Sequence, residues 1–142
     1  MRGARVVVHD IHHARRAVSR AHALGVDLTL VSAPGAAATL GPAVFREMIA
    51  TVRAELPATT ISIDAILDCG EDPGPALQAL RSGCTYICST APQAVFIKLS
   101  NIAEQCGGAV VHGPLNALDL GDDVTDDALD TWLRDNAGDN SA

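Results

Sequence analysis

Arg5-Val6-Val7-Val8-His9, then Asp10, then Ile11 to Leu24, then Gly25 and Val26 to Ser32, is the stretch whose pattern decides the fold. Its first run is β-branched and apolar between its ends, which is the pattern of a strand buried on both faces. Asp10 stands where a helix cap belongs. Ile11, Ala14, Val18, Ala21 and Leu24 then recur at helical spacing, with Arg15, Arg16 and Arg20 on other faces. Gly25 ends that helix, and Val26 to Ser32 is a second apolar strand.

The same unit repeats outward from this stretch. Ala33-Pro34-Gly35 and a run of small residues make a loop up to Gly41-Pro42, where proline opens a helix with Phe45, Ile49, Val52 and Leu56 on its apolar face. Pro57 stops it. A third strand is expected within Thr60 to Cys69, centred on Ala65-Ile66-Leu67. Asp72 caps a short helix running through Leu77 and Leu80 to Gly83. Cys84 to Ser89 is the fourth strand. Thr90-Ala91-Pro92 opens a helix with Val95, Leu99 and Ile102 on one side, and Ala109-Val110-Val111-His112 is the fifth strand. Strands alternating with helices through short loops imply an α/β fold with a parallel sheet and right-handed crossovers.

After His112 the repeat breaks. Gly113-Pro114-Leu115 begins a connection, and Thr125-Asp126-Asp127 starts a helix with acid at the positive end of its dipole. Ala128, Leu129, Trp132 and Leu133 give that helix one apolar stripe. The expected organisation is a βα-repeat domain over 1–118, an acidic helical segment over 119–135 and a disordered tail over 136–142.

About five strands allow two architectures. One is roughly half of a (βα)8 barrel, since a complete barrel needs ~250 residues. The other is an open, doubly wound sheet of flavodoxin-like order. Asp68-Cys69-Gly70-Glu71-Asp72, followed by Ala76-Leu77-Gln78-Ala79-Leu80-Arg81-Ser82-Gly83-Cys84-Thr85-Tyr86-Ile87-Cys88-Ser89, resembles the mid-barrel βα modules of phosphosugar aldolases of the 2-keto-3-deoxy-6-phosphogluconate type. The resemblance covers about a fifth of the chain and implies the half-barrel. It does not extend to the reaction. Those enzymes form a Schiff base on a strand-borne lysine, and this chain's single lysine, Lys98, falls in the middle of a helix.

Charge narrows the partners. The net charge of −7 is uneven: residues 1–118 hold nine acidic and nine basic residues, and from Asp119 onward there are eight acids against Arg134 alone. A neutral body with an acidic end argues against nucleic acid as a partner and against anionic membrane. No apolar run reaches the ~18–20 residues of a membrane span. The N-terminus lacks a signal-peptide pattern, so the expected location is the cytoplasm, with Cys69, Cys84, Cys88 and Cys106 as reduced thiols. Half a barrel leaves edges that must be paired or covered, so a homo-oligomer is expected, or the Trp132 helix as a cover.

Ligands of parallel α/β proteins bind beyond the carboxyl ends of the strands. Those ends carry His9-Asp10, Ser32, Asp68-Cys69, Ser89-Thr90 and His112. His9 and His112 are candidate general bases, and Asp68 is the candidate acid. Cys69 is a candidate nucleophile. Asp10, Ser32, Ser89 and Thr90 are candidate ligand-binding residues, the last three for phosphate. Each has a structural counterpart: Asp10, Ser32, Ser89 and Thr90 as helix caps, Asp68 as a turn residue, Cys69 as core packing. No spacing among these residues forms a recognised zinc motif, so no metal is assigned, and no cofactor is assigned either. P-loop, nucleophile-elbow and H-E-x-x-H motifs are absent from the sequence. Two functions fit: a small-molecule lyase, isomerase or binding protein acting on a phosphosugar-like ligand, or a non-catalytic half-barrel module working through self-association or a protein partner.

Overall fold

The structure is a computed structural model, and it describes residues 2–58 and 61–138. Along the chain come β1 (Ala4–Val8), α1 (Ile11–Leu24), β2 (Leu28–Ser32), α2 (Ala36–Thr39), α3 (Pro42–Glu55) and β3 (Ile63–Asp68). They are followed by α4 (Pro73–Arg81), β4 (Tyr86–Ser89), α5 (Gln93–Gln105), β5 (Ala109–His112), β6 (Leu118–Asp119) and α6 (Asp126–Asp135). The strands make an all-parallel sheet of order β5-β4-β3-β2-β1-β6, so the chain has the expected α/β class. From β1 to β5 consecutive strands are neighbours, the order of successive βα units in half a barrel. A flavodoxin-like order would seat β1 between β2 and β3; here β1 lies between β2 and β6.

The differences from the sequence reading have local causes. A sixth strand follows the expected five. It is only two residues long, Leu118–Asp119, too short to show alternation. The small-residue loop before Pro42 contains the four-residue α2, which has no side-chain cap hydrogen bond to announce it. Asp10 caps α1, accepting from the His13 N–H at 2.8 Å, and Gly25 closes that helix in the left-handed region at φ 67°. On α5 the buried residues are Leu99 and Ala103, a spacing of four, while Ile102 is exposed. Lys98 is exposed on the same helix.

The described residues fall into two compact units. The first takes those of Met1–Val31, Glu47–Ala65 and Asn116–Ser141, and the second those of Ser32–Arg46 and Ile66–Leu115. In the first, α1 packs on β1. Its buried residues, Ala14, Ala17, Val18 and Ala21, are small, which lets the helix approach a strand that buries Ala4, Val6 and Val8. The acidic segment belongs to this unit: α6 packs on α1 and β1 with Leu129 and Leu133 fully buried. The tail expected from residue 136 lies, from 139 on, outside the described residues.

In the second unit α4 packs on β4 and α5, and α5 packs on β5. Ile66, Leu67, Ile87 and Leu99 fill its core. β4 and β5 pair in register from Tyr86↔Ala109 to Ser89↔His112. Cys84 and Cys88 are buried, whereas Tyr86, at the start of β4, is exposed.

Candidate functional site

β1 ends at Val8, and the next residue, His9, stands at its carboxyl end in the first unit. Its neighbour there is β6, aligned so that Val6 faces Leu118 and Val7 faces Asp119. The register brings Asp119 to the histidine, with His9 Nε2 2.6 Å from Asp119 Oδ1. The same carboxylate oxygen accepts the Gly121 N–H at 2.7 Å. The His9 backbone N–H donates to His13 Nδ1 at 3.1 Å, and the two rings meet edge to face with centroids 5.6 Å apart. His13 in turn is fixed by the Asp10 cap. That hydrogen bond from the His13 N–H, helped by the nearby His13 and His12 rings, lowers the Asp10 pKa below the usual carboxylate value.

This network sets proton positions. His13 Nδ1 accepts a backbone N–H, so it carries no proton while that bond stands. With its proton on Nε2 toward Asp119, His9 keeps a lone pair on Nδ1. Among the described residues no hydrogen bond to that atom is formed. The His9 and Asp119 side chains are 38% and 33% exposed, so a small molecule can reach them. A carboxylate behind one imidazole nitrogen orients the ring and stabilises its cation when the other nitrogen takes a proton. No serine, threonine or cysteine side chain is hydrogen-bonded to His9 among the described residues. An imidazole oriented in this way is equipped for proton transfer.

Two helices brace the pair. Arg16 on α1 reaches Asp126 on α6 at 3.0 and 2.9 Å and also donates to the Val124 carbonyl. One turn further along each helix, Arg20 holds Asp130 in two hydrogen bonds of 2.8 and 2.7 Å. The guanidinium lowers the Asp130 pKa, and the carboxylate raises that of Arg20. The Trp132 indole N–H donates to the Arg5 carbonyl at 3.0 Å. On the other side of α1, Arg15 grips Glu55 in a fork of two 2.8 Å bonds. That pair rims a shallow groove of about 250 Å³ floored by Val18, Val52, Leu56 and Pro57, which draws on none of the strand-end residues.

In the second unit Asp68 closes β3. Its Oδ1 accepts N–H groups from Gly35 at 3.0 Å and Gly70 at 2.9 Å, so one carboxylate ties the loop after β2 to the loop after β3. The Asp68 N–H donates to the Ser32 hydroxyl oxygen at 2.8 Å. Ser32 and Ser89 are buried, and the Ser89 hydroxyl accepts the Ala91 N–H at 3.1 Å, so both hydroxyls are engaged in holding loops. Thr90 is exposed, with its backbone N–H on the Gly70 carbonyl. His112 is exposed at the end of β5, opposite Ser89, with its ring edge to face with Phe96 at 5.2 Å. Cys69 is buried. Burial, with the Asp68 charge next to it, pushes its thiol up to about 12, which opposes formation of a thiolate at neutral pH.

The structure thus joins His9 to Asp119 and His13, and Asp68 to Ser32. The roles of Asp119, Gly121, Arg16 and Arg20 escaped the sequence reading. Asp119 reads as the first residue of an acidic run, and its partner is 110 positions away. Among the described residues no group of three or more His, Cys, Asp or Glu side chains is arranged to hold a metal ion. No helix among them is long and apolar enough to cross a membrane. The chain matches no protein-family model, no curated protein and no solved structure at a significant level.

Proposed function

We propose that the protein is a small-molecule enzyme of lyase or isomerase type in which His9, held by Asp119, is the general base. The observation that carries this reading is the 2.6 Å contact between His9 Nε2 and Asp119 Oδ1 at the carboxyl end of β1. Its position is where parallel α/β proteins bind ligands. The resemblance of residues 68–89 to phosphosugar aldolase modules supports a compact hydroxy-carbonyl substrate. A carboxylate-oriented imidazole suits proton abstraction next to a carbonyl. We place the protein in the cytoplasm, where its four cysteines, all free thiols, stay reduced.

The test is deuterium washout. The protein is incubated in D₂O with a panel of triose phosphates, pentose phosphates and 2-keto acids, and exchange of the C–H beside the carbonyl is followed by proton NMR. Catalysed exchange is expected for at least one compound, falling about 10²–10⁴-fold in His9→Gln. Exchange at background for the whole panel, or equal exchange in the variant, would overturn the reading.

A second reading, self-association, is favoured by β5. This strand is a sheet edge without a charged residue. Ala109 and Gly113 donate their N–H groups to Thr85, just before β4, and to Ser89 at its end, so those of Val110 and His112 point away from it. Exposed Tyr86, Ile97 and Ile102 belong to the same unit. A second copy pairing along this edge would satisfy it. Light scattering coupled to size exclusion is expected to give a dimer mass that reverts to monomer in Val110→Lys. A monomer in the unmodified protein removes this reading.

A further inference from the structure

We propose that α6 is a charge-tuned clasp that holds Asp119 against His9, so that docking of α6 and formation of the histidine–carboxylate pair are one coupled equilibrium. The functional meaning of this coupling rests on the general-base reading of His9, but the coupling itself does not.

Asp119 sits on a strand of two residues, joined to β1 by the register at Val6 and Val7 and by the Leu120 N–H on the Val7 carbonyl at 3.1 Å. So short a pairing is marginal alone. What holds it is the helix that follows. α6 grips both elements that carry the site. Through Trp132 it is bonded to Arg5 on β1, the strand that ends at His9. Through Asp126 and Asp130 it is bonded to Arg16 and Arg20 on α1, the helix that Asp10 caps.

The two rungs are spaced one turn apart on each helix, so they match in only one register. A slip of α6 by one turn leaves a rung unpaired. Leu129 and Leu133 supply the bulk of the adhesion, and the rungs select the register that puts Asp119 in place. Arg20 and Arg16 are about one-third exposed, so the rungs are open to screening. Arg16, Arg20, Asp126 and Asp130 are therefore positioning residues.

Trp132 is the sole tryptophan, which makes its fluorescence a reporter of docking. The ring nitrogen shifts of His9 in long-range nitrogen–proton NMR report its contact with Asp119, with Asp119→Ala as the unpaired reference. In Arg20→Asp, the ratio of undocked to docked α6, read from acrylamide quenching of Trp132, is expected to rise by about fivefold or more, because repulsion from Asp130 adds to the loss of a surface ion pair. The His9 shifts move toward the reference in the same proportion. Asp130→Arg alone does the same, and the two substitutions together restore both signals. Raising NaCl to ~1 M, where the screening length is ~3 Å, moves both signals in the unmodified protein, and this keeps the test open if Arg20→Asp fails to fold.

Release of Trp132 with unchanged His9 shifts would overturn the proposal, and so would an undisturbed Trp132 in both Arg20→Asp and high salt. Coupled signals in a protein that catalyses no washout would retain the clasp and remove only the general-base reading.

Discussion

Replacing Gly108 by alanine is expected to cost about 3 kcal/mol or more, while the same change at its neighbour Gly107 costs only about 1 kcal/mol. The two glycines lie between α5 and β5, and propensity arguments alone would rank them the other way. Gly107 adopts φ 78°, in the left-handed region, yet a Cβ there meets nothing within 4 Å. Its alanine variant carries only the conformational cost of that region. Gly108 is outside the left-handed region, but a Cβ on it would lie 1.8 Å from the Thr85 carbonyl oxygen and 2.5 Å from its carbon. Both are backbone atoms, so no side-chain rotation relieves the clash. The displaced carbonyl is also the acceptor for the Ala109 N–H at 2.9 Å, and Gly108 itself donates to the Ala103 carbonyl at 2.9 Å. Relief therefore opens the first β4–β5 hydrogen bond. Thermal unfolding followed by circular dichroism should show a loss of roughly 10 °C for Gly108→Ala against a few degrees for Gly107→Ala. Equal losses would mean that the two strands separate at their start without penalty.

The parts of the fold that were legible are those written in local pattern. β1 and α1 follow from a buried β-branched run, a capping aspartate and a 3.6-residue stripe, each contained within a few positions. The Thr125 cap of α6 was legible for the same reason, and it accepts the Ala128 N–H at 3.1 Å. β6 was not, because two residues contain no period. His9 was legible as a strand-end histidine, but its partner was not. Asp119 reaches it only because β6 adds to β1 after the chain has passed through four other strands. Asp68 was legible as a strand-end acid, yet the pattern is the same whether the carboxylate holds a substrate or two loop N–H groups. Only the positions of Gly35 and Gly70 display the second role. The charge of the C-terminal segment misled in a different way. A run of aspartates reads as solvated, and nothing near Asp126 or Asp130 in sequence reveals that Arg16 and Arg20 wait on another helix at the same spacing.

Leu133→Ala is expected to destabilise the protein by about 2–5 kcal/mol, because the segment that composition marks as an acidic appendage is a wall of the first unit's core. Leu133 and Leu129 are four residues apart and wholly buried, and α6 contacts both α1 and β1. Truncating Leu133 removes three buried carbons and leaves a cavity in a core where the buried residues of α1 and β1 are alanines and valines too short to fill it. Collapse is opposed by two anchors on the same helix. Trp132 is fixed to the Arg5 carbonyl, and Arg20 holds Asp130. The control is Thr131→Ala, on the exposed face of the same helix, which should stay within about 0.5 kcal/mol of the unmodified protein. Urea unfolding monitored at Trp132 and by circular dichroism separates two outcomes. If both probes shift together, α6 unfolds with the sheet and is integral to it. If Trp132 is released at low urea while the circular dichroism transition is unmoved, α6 is an independent appendage, and a core role for Leu133 is refuted. The first outcome also sets a limit on the clasp. The undocking that Trp132 reports in Arg20→Asp or in high salt is then the opening of the unit itself, and loss of the His9–Asp119 pair shares its free energy.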